Sequence, residues 1–382
     1  MDHDMRANCP KRVHGWASEE EVVYGLVFIL AVGASWVFFR YRCKVCLNVA
    51  MAGQDCCGGG MRWRVLYGAV SWVFLLRVFL PYFFGSDGSS ESTSPAVLGV
   101  ETNTTAELQT LVNLTDFQFT LMTPHCQPAA PLLLFLVHSA PDHGAHRAVI
   151  RRTWGSQARV VFLLGQVNNP ERQLALEAES LRHNDLVQGN FLDSYRNLTY
   201  KQIMGLKWAS FFCPKASYIF KVDDDVFIDV PQLSAFLRDT YGPGRPPKSL
   251  LLCYVFRYPF AKRSYRSKWR VTFQEYKGHY YPSYCSGYIV GMSSEVANHL
   301  HKASLTEPFF WIDDVFVSGI LASKVGLSHT DLNNLVPAKL SLTENYLNHP
   351  LPIRPPPMLG APDLDLETIK KLWVRAQEYY NP

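Results

Sequence analysis

Residues 218–229 read YIFKVDDDVFID: an apolar run, Tyr218, Ile219, Phe220 and Val222, carries Asp223, Asp224 and Asp225 before turning apolar again at Val226, Phe227 and Ile228. The pattern predicts a buried strand that ends in charge. Three carboxylates at the end of a core-like strand repel one another and lose hydration, so a cation or water must neutralise them. Hard divalent ions accept such oxygens and keep positions open for phosphate, which makes an Asp-x-Asp at a strand end a candidate site for a metal bridging to a nucleotide diphosphate. A solvated acidic turn is the competing reading, because Asp is mostly an exposed residue.

Outward from this stretch, strands alternate with helices. Leu132 to Ser139 (LLLFLVHS) and Val160 to Gly165 (VVFLLG) have buried-strand length. Between them His146 to Trp154 (HRAVIRRTW) has helical spacing and a cationic face of Arg147, Arg151 and Arg152. Glu171 to Arg182 reads as a helix, Asp185 to Gln188 as a strand and Leu198 to Phe212 as a long helix. This order predicts an α/β fold whose mostly parallel central sheet is flanked by helices on both faces, with ligands at the carboxyl ends of its strands. The three Asp residues stand at that end of theirs.

A second acidic pair lies in Pro308 to Gly319 (PFFWIDDVFVSG), where Asp313 and Asp314 are framed by apolar residues on both sides. Carboxylates held in such a frame tend towards raised pKa values, which suits a general base. The alternative is an N-cap for a helix over residues 315–325. Each residue admits either role.

The first hundred residues point to a membrane. Residues 22–39 are uncharged and long enough to span a bilayer as a helix. Residues 65–84 form a second, aromatic-rich run interrupted by Arg77 and Pro81, read as a signal-anchor. Residues 1–21 form a short tail. Segment 40–64 carries Arg40, Arg42, Lys44, Arg62 and Arg64 against Asp55, so the positive-inside rule makes it a cytosolic loop and everything after residue 84 lumenal or extracellular. Residues 85–130 are rich in Gly, Ser, Thr and Asn and read as a flexible stem, leaving 131–382 as the lumenal domain. Sequons at Asn103, Asn113 and Asn197 fall on that same side. Of nine cysteines, Cys126, Cys213, Cys253 and Cys285 lie in the later part and could form two disulfides, in keeping with the secretory pathway. The net charge of +4, with no long basic run in the second half, gives nucleic-acid binding little support.

The set RAVIRRTWG (147–155), VFLLG, FLDSYRNLTYKQIMGLKW (191–208), FKVDDDVFI, YPSYCSGYIVG (281–291) and IDDVFVSG, in this order, resembles the β-1,3-galactosyltransferase and β-1,3-N-acetylglucosaminyltransferase family over residues 131–330. The resemblance implies a GT-A nucleotide-diphospho-sugar transferase fold, Golgi membrane anchoring with a lumenal catalytic domain, Mn²⁺, and a UDP-galactose or UDP-N-acetylglucosamine donor. It also implies inversion at the anomeric carbon and transfer to the 3-hydroxyl of a glycan acceptor on glycoprotein or glycolipid. Three features depart from the family pattern: Asn190 where an acid is common, Ser318 lengthening the segment between the acidic pair and Gly319, and the upstream apolar run at Val22.

On matching positions, Asp225 is the expected direct metal ligand. Asp223 contacts the ribose or metal-bound water, Asp224 points away as strand alternation requires, and His349 completes the metal site. Asp314 is the expected base for the acceptor hydroxyl, with Asp313 beside it. Arg147, Arg151 and Trp154 resemble uridine-side or structural elements, Trp154 being equally explained by helix packing. Tyr284, Ser286 and Gly287 are expected to line the donor-sugar or acceptor side. Two rival classes are a catalytically inactive lectin-like or scaffolding relative and a multi-span membrane protein; retention of Asp223, Asp225 and the Asp313–Asp314 pair speaks against the first, the lack of further long apolar runs against the second.

Overall fold

The strand expected at Tyr218 is an inner strand of an eight-stranded sheet in the computed structural model. The structure describes residues 107–126, 130–243, 246–332, 340–348 and 357–380, all within one unit, Pro95–Pro382. The two apolar runs, the tail and loop around them, Asn103 and His349 lie outside the described residues. Among the described residues no helix is long and apolar enough to cross a membrane.

The strands are β1 (Phe119–Leu121), β2 (Leu133–His138), β3 (Arg159–Gln166), β4 (Leu186–Leu192), β5 (Tyr218–Asp223), β6 (Leu251–Phe256), β7 (Tyr284–Ser293) and β8 (Thr330–Asp331). Their spatial order is β1-β4-β3-β2-β5-β7-β6-β8. The helices are α1 (Gly144–Arg152), α2 (Pro170–His183), α3 (Leu198–Phe212), α4 (Val230–Tyr241), α5 (Ser294–Ser304), α6 (Leu340–Asn348) and α7 (Leu366–Tyr380), with a π-helical segment at Val315–Leu321. β2 is buried along its whole length, as a continuous apolar run requires when both sheet faces are covered. Alternate β2 side chains face different cores: Leu134 and Leu136 pack with Ile203 and Leu206 of α3, while Phe135 and Val137 pack with Ile150 and Trp154.

One expectation is refined and one corrected. The sheet is mostly parallel, as expected, but mixed: β2, β3, β4, β5, β6 and β8 run one way, and β1 and β7 run against them. The chain crosses over through α4 to reach β6 parallel to β5, then returns between them through a loop without a helix, and such a return has to be antiparallel. The stem is what is corrected: it does not extend to residue 130. From Glu107 the chain is docked on the domain: Leu111, Val112 and Phe117 are buried, β1 pairs with β4, and Cys126 is bonded to Cys213. The buried Lys207 Nζ donates to the carbonyls of Glu107 and Thr110 at 2.5 and 2.6 Å, and burial pulls this amine down to about 8. Asn190 takes part as well, accepting the Gln118 N–H and donating to the Asp116 carbonyl.

The second disulfide, Cys253–Cys285, ties β6 to β7. Of the sequons, Asn113 is exposed and its Oδ1 accepts the Tyr200 hydroxyl at 2.7 Å. The Asn197 amide donates to the Leu192 carbonyl, and Thr199 of the same sequon is fully buried.

Candidate active site

Because β2 and β5 are parallel and in register, with His138 opposite Asp223, their carboxyl ends open on one edge of the sheet. The acidic residues 223–225 turn there, and alternation sends their side chains to different sides. Asp224 is buried towards α1, accepting the Ser139 hydroxyl at 2.6 Å and meeting His143 Nδ1 at 2.9 Å. Asp223, on the other face, pairs with Lys221 at 2.7 Å. The groups that act on Asp225 are carboxylates: burial first, then Asp223, Asp224 and Asp363, push it up to about 7. The turn is held from the C-terminal side, where Leu364 N–H donates to the Asp225 carbonyl, Gly360 N–H to that of Phe227, and Asp229 N–H to that of Met358.

Lys221 joins the two acidic groups. It is buried in the strand, its Nζ bonded to Asp223 Oδ1 and to the Gly287 carbonyl. Burial acts to discharge it, but Asp223, Asp314 and Asp313 outweigh that effect and hold the ammonium well above its ordinary pKa. Gly287, on neighbouring β7, leaves the space that Asp314 fills: a Cβ there would stand 1.8 Å from Asp314 Oδ1. Asp314 opens the π-helical segment with helical backbone angles and no side-chain capping bond, and it keeps partial solvent contact, whereas Asp313 is buried. The backbone N–H groups of Asp313 and Asp314 act to lower the Asp313 carboxyl. Burial, then Asp313, raises the Asp314 carboxyl far above the usual range, opposed by Lys221. Burial likewise raises Asp313, against the pull of Lys221.

Ser318 stands inside the π-helix. Its hydroxyl accepts the Cys285 N–H at 2.8 Å and donates to the Asp314 carbonyl at 2.6 Å, linking the acidic pair's helix to β7. A π turn holds one residue more than an α turn, which accommodates the longer segment noted in the sequence.

Of the uridine-side and structural roles left open for Arg147 and Arg151, their contacts are those of structural elements. Arg147 is buried, with all five N–H groups engaged by Glu179, Ser139 and the carbonyls of Ala140 and Pro141. Arg151 is held by Glu179 and Asp185. Both brace α1, and Arg147 also bonds to Ser139, whose hydroxyl holds the buried Asp224, so Asp224 too is occupied by protein partners. Trp154 is fully buried, and its indole N–H donates to the Val226 carbonyl just beyond the acidic turn at 3.0 Å. Tyr284 and Ser286 are half-buried on β7, and burial followed by Asp314 pushes the Tyr284 hydroxyl up to about 12.

Three residues near the acids escaped sequence reasoning. Lys221 had a signal, a lone cation inside an apolar strand. Tyr195 and Lys268 had none: the fold alone packs Tyr195 against Trp311 at 6.2 Å, within reach of the charges of Asp313 and Asp314, and sets Lys268 over Tyr195 at 6.0 Å.

Among the described residues no three His, Cys, Asp or Glu side chains converge as a metal cage. Asp225, however, is acted on chiefly by the like charges of Asp223, Asp224 and Asp363, and its oxygens suit a hard divalent ion whose remaining positions go to phosphate and water.

The galactosyltransferase family model matches residues 145–333. Beta-1,3-galactosyltransferase 5 of Pan paniscus is 34% identical over 218 residues, 55% of this chain and 70% of that protein; its Mus musculus counterpart is 35% identical over 215 residues, 54% and 68%. Lactosylceramide 1,3-N-acetyl-beta-D-glucosaminyltransferase of Homo sapiens is 34% identical over 220 residues, 54% of this chain and 57% of that protein. Among solved structures, galactosyltransferase LgtC in complex with donor and acceptor sugar analogues aligns with a TM-score of 0.32 at 10% identity, over 63% of this chain and 95% of that one, a likeness too slight to carry an argument. On the match of sequence along most of these β-1,3-galactosyltransferases, the chain belongs to the galactosyltransferase family and is a glycosyltransferase.

Proposed function

We propose that the chain is an inverting β-1,3-hexosyltransferase of GT-A type, moving galactose or N-acetylglucosamine from a UDP-sugar to the 3-hydroxyl of a glycan acceptor on glycoprotein or glycolipid. The observation that carries this reading is the meeting of the 223–225 turn with Asp313 and Asp314 around buried Lys221 at the carboxyl edge of the sheet. Asp225 and Asp223 would hold Mn²⁺, with His349 as the remaining protein ligand. Bound Mn²⁺ supplies Lewis-acid charge to the departing UDP.

Asp314, raised in basicity yet in contact with solvent, takes the proton of the acceptor 3-hydroxyl. The acceptor oxygen bonds to sugar C1 as the C1–phosphate oxygen bond breaks and the electron pair leaves with UDP. One base and no protein nucleophile give inversion, by the logic of inverting glycosidases. Lys221 holds the acidic groups together without touching the reacting atoms. A Golgi membrane location with the domain in the lumen is supported by the two disulfides and by the charge pattern of the first hundred residues.

Turnover of Asp314→Asn and Asp313→Asn with UDP-galactose and with UDP-N-acetylglucosamine tests the reading. Asp314→Asn should lose about 10² to 10⁴ in rate with UDP affinity retained, and Asp313→Asn less. Full turnover in both variants would remove the base from this pair, and undiminished turnover in a chelator would remove the metal.

A further inference from the structure

The loop between β6 and β7, residues 257–283, holds seven Lys and Arg residues against one acid, Glu275, in a chain whose net charge is only +4. Some of these cations are satisfied internally. Arg257 pairs with Asp331, and the Arg263 guanidinium donates to four backbone carbonyls of its own loop. Lys268 is different. It is exposed, and its Nζ rests 4.5 Å from the centre of the Trp269 ring and 6.0 Å from that of Tyr195.

These rings belong to the base side of the site. Tyr195 packs on Trp311, two residues before Asp313, and Arg196 caps the other ring contact by lying 4.1 Å over Trp311. Tyr195 feels the charges of Asp313, Asp314 and Asp223. Trp269 and Tyr195 are 45% and 50% exposed, so part of each ring is open to solvent with the Lys268 ammonium lying over it. Exposed aromatic surface offers the apolar C–H face of a pyranose a place to stack, and the exposed ammonium lying over these rings, which a stacking sugar would displace from them, offers an anion on that sugar a charge-assisted hydrogen bond.

Resting on the transferase reading above, we propose that Tyr195, Trp269 and Lys268 form an acceptor subsite in which the rings stack on a sugar and the Lys268 ammonium binds an acidic substituent. The enzyme then prefers glycan acceptors that carry a carboxylate or sulfate over their neutral counterparts. The net charge of the loop favours the same class, since it draws in acidic acceptors that the bare carboxylates of the site would repel.

The test is full-length protein in detergent, assayed with one neutral oligosaccharide acceptor and with the same oligosaccharide bearing a sialic acid or a sulfate. The wild type should show kcat/KM roughly three- to tenfold higher for an acidic form, the range for an exposed ion pair strengthened by stacking, and the ratio should fall with added salt. The two acidic arms tell carboxylate from sulfate. Lys268→Ala should bring the ratio to one through acceptor KM, and Lys268→Arg should keep it. A wild-type ratio of one, or a ratio that Lys268→Ala leaves unchanged, overturns the subsite. So does a Lys268→Ala effect confined to donor KM, which would put the lysine on the UDP, or one confined to binding of anionic lipid vesicles. Absence of transfer to any acceptor would instead fail the transferase reading itself.

Discussion

Lys221 is a buried cation bonded to Asp223 whose charge also acts on Asp313 and Asp314, and its removal is the sharpest single-residue test of how the acidic groups are held. Lys221→Met keeps the stem and deletes the charge, leaving Asp223, Asp313 and Asp314 without it. Breaking a buried pair from one side costs about 3–5 kcal/mol, to be read from denaturant unfolding. Asp225 makes a different prediction. Burial and its carboxylate neighbours raise its pKa in the fold to about 7 from an ordinary 3.8, so between those limits the folded chain binds more protons than the unfolded one. Stability therefore falls as pH rises across that window and levels off above it. In a chelator, the melting temperature of the wild type should drop from pH 5 to pH 8 by more than that of Asp225→Asn. Adding Mn²⁺, which takes the ionised carboxylate, should shrink the difference; equal pH slopes without metal would refute the assignment.

At the scale of elements, the site depends on how closely β7 approaches the helix opened by the acidic pair. Gly287→Ala places a methyl where the Asp314 carboxylate lies, so either the strand or the carboxylate must shift. Overpacking of this kind costs about 1–3 kcal/mol, and a displacement near 1 Å at a reacting group costs about 10²-fold in rate. The expected result is a folded protein with kcat reduced far more than UDP affinity, measured by initial rates beside calorimetric titration of UDP. Helix α3, Leu198–Phe212, was legible in the sequence as a Gly/Pro-poor, largely apolar stretch ending before Cys213 and Pro214. The π-helical turn was not: an extra residue is visible in the chain, but whether it bulges or lengthens a loop depends on the Ser318 bonds to Cys285 and Asp314.

For the whole molecule, the boundary of the domain is the property most open to test. A fragment of residues 131–382 discards β1, Cys126 and the carbonyls that satisfy buried Lys207. Loss of a disulfide that closes an 87-residue separation alone costs about 2–5 kcal/mol. Fragment 95–382 should therefore be secreted as folded, protease-resistant protein, and 131–382 should not; equal yields of both would show that the docked segment is dispensable.

Taken alone, the chain determined the elements whose signals are local. The strand at 218–223, the buried strand at 133–138 and the helix at 198–212 follow from runs and periods of apolar residues, and the two acidic groups follow from carboxylates set in apolar frames. Ordered motifs carried the family. What only the tertiary structure decided is everything that depends on pairing across long separations. It decided the antiparallel insertion of β7, the docking of 107–126, the diversion of Arg147 and Arg151 into ion pairs with Glu179, and the arrival of Lys268 beside Tyr195. A cation reads the same in sequence whether it will face a substrate or a buried carboxylate, because its partner lies many residues away and the fold alone sets the distance between them.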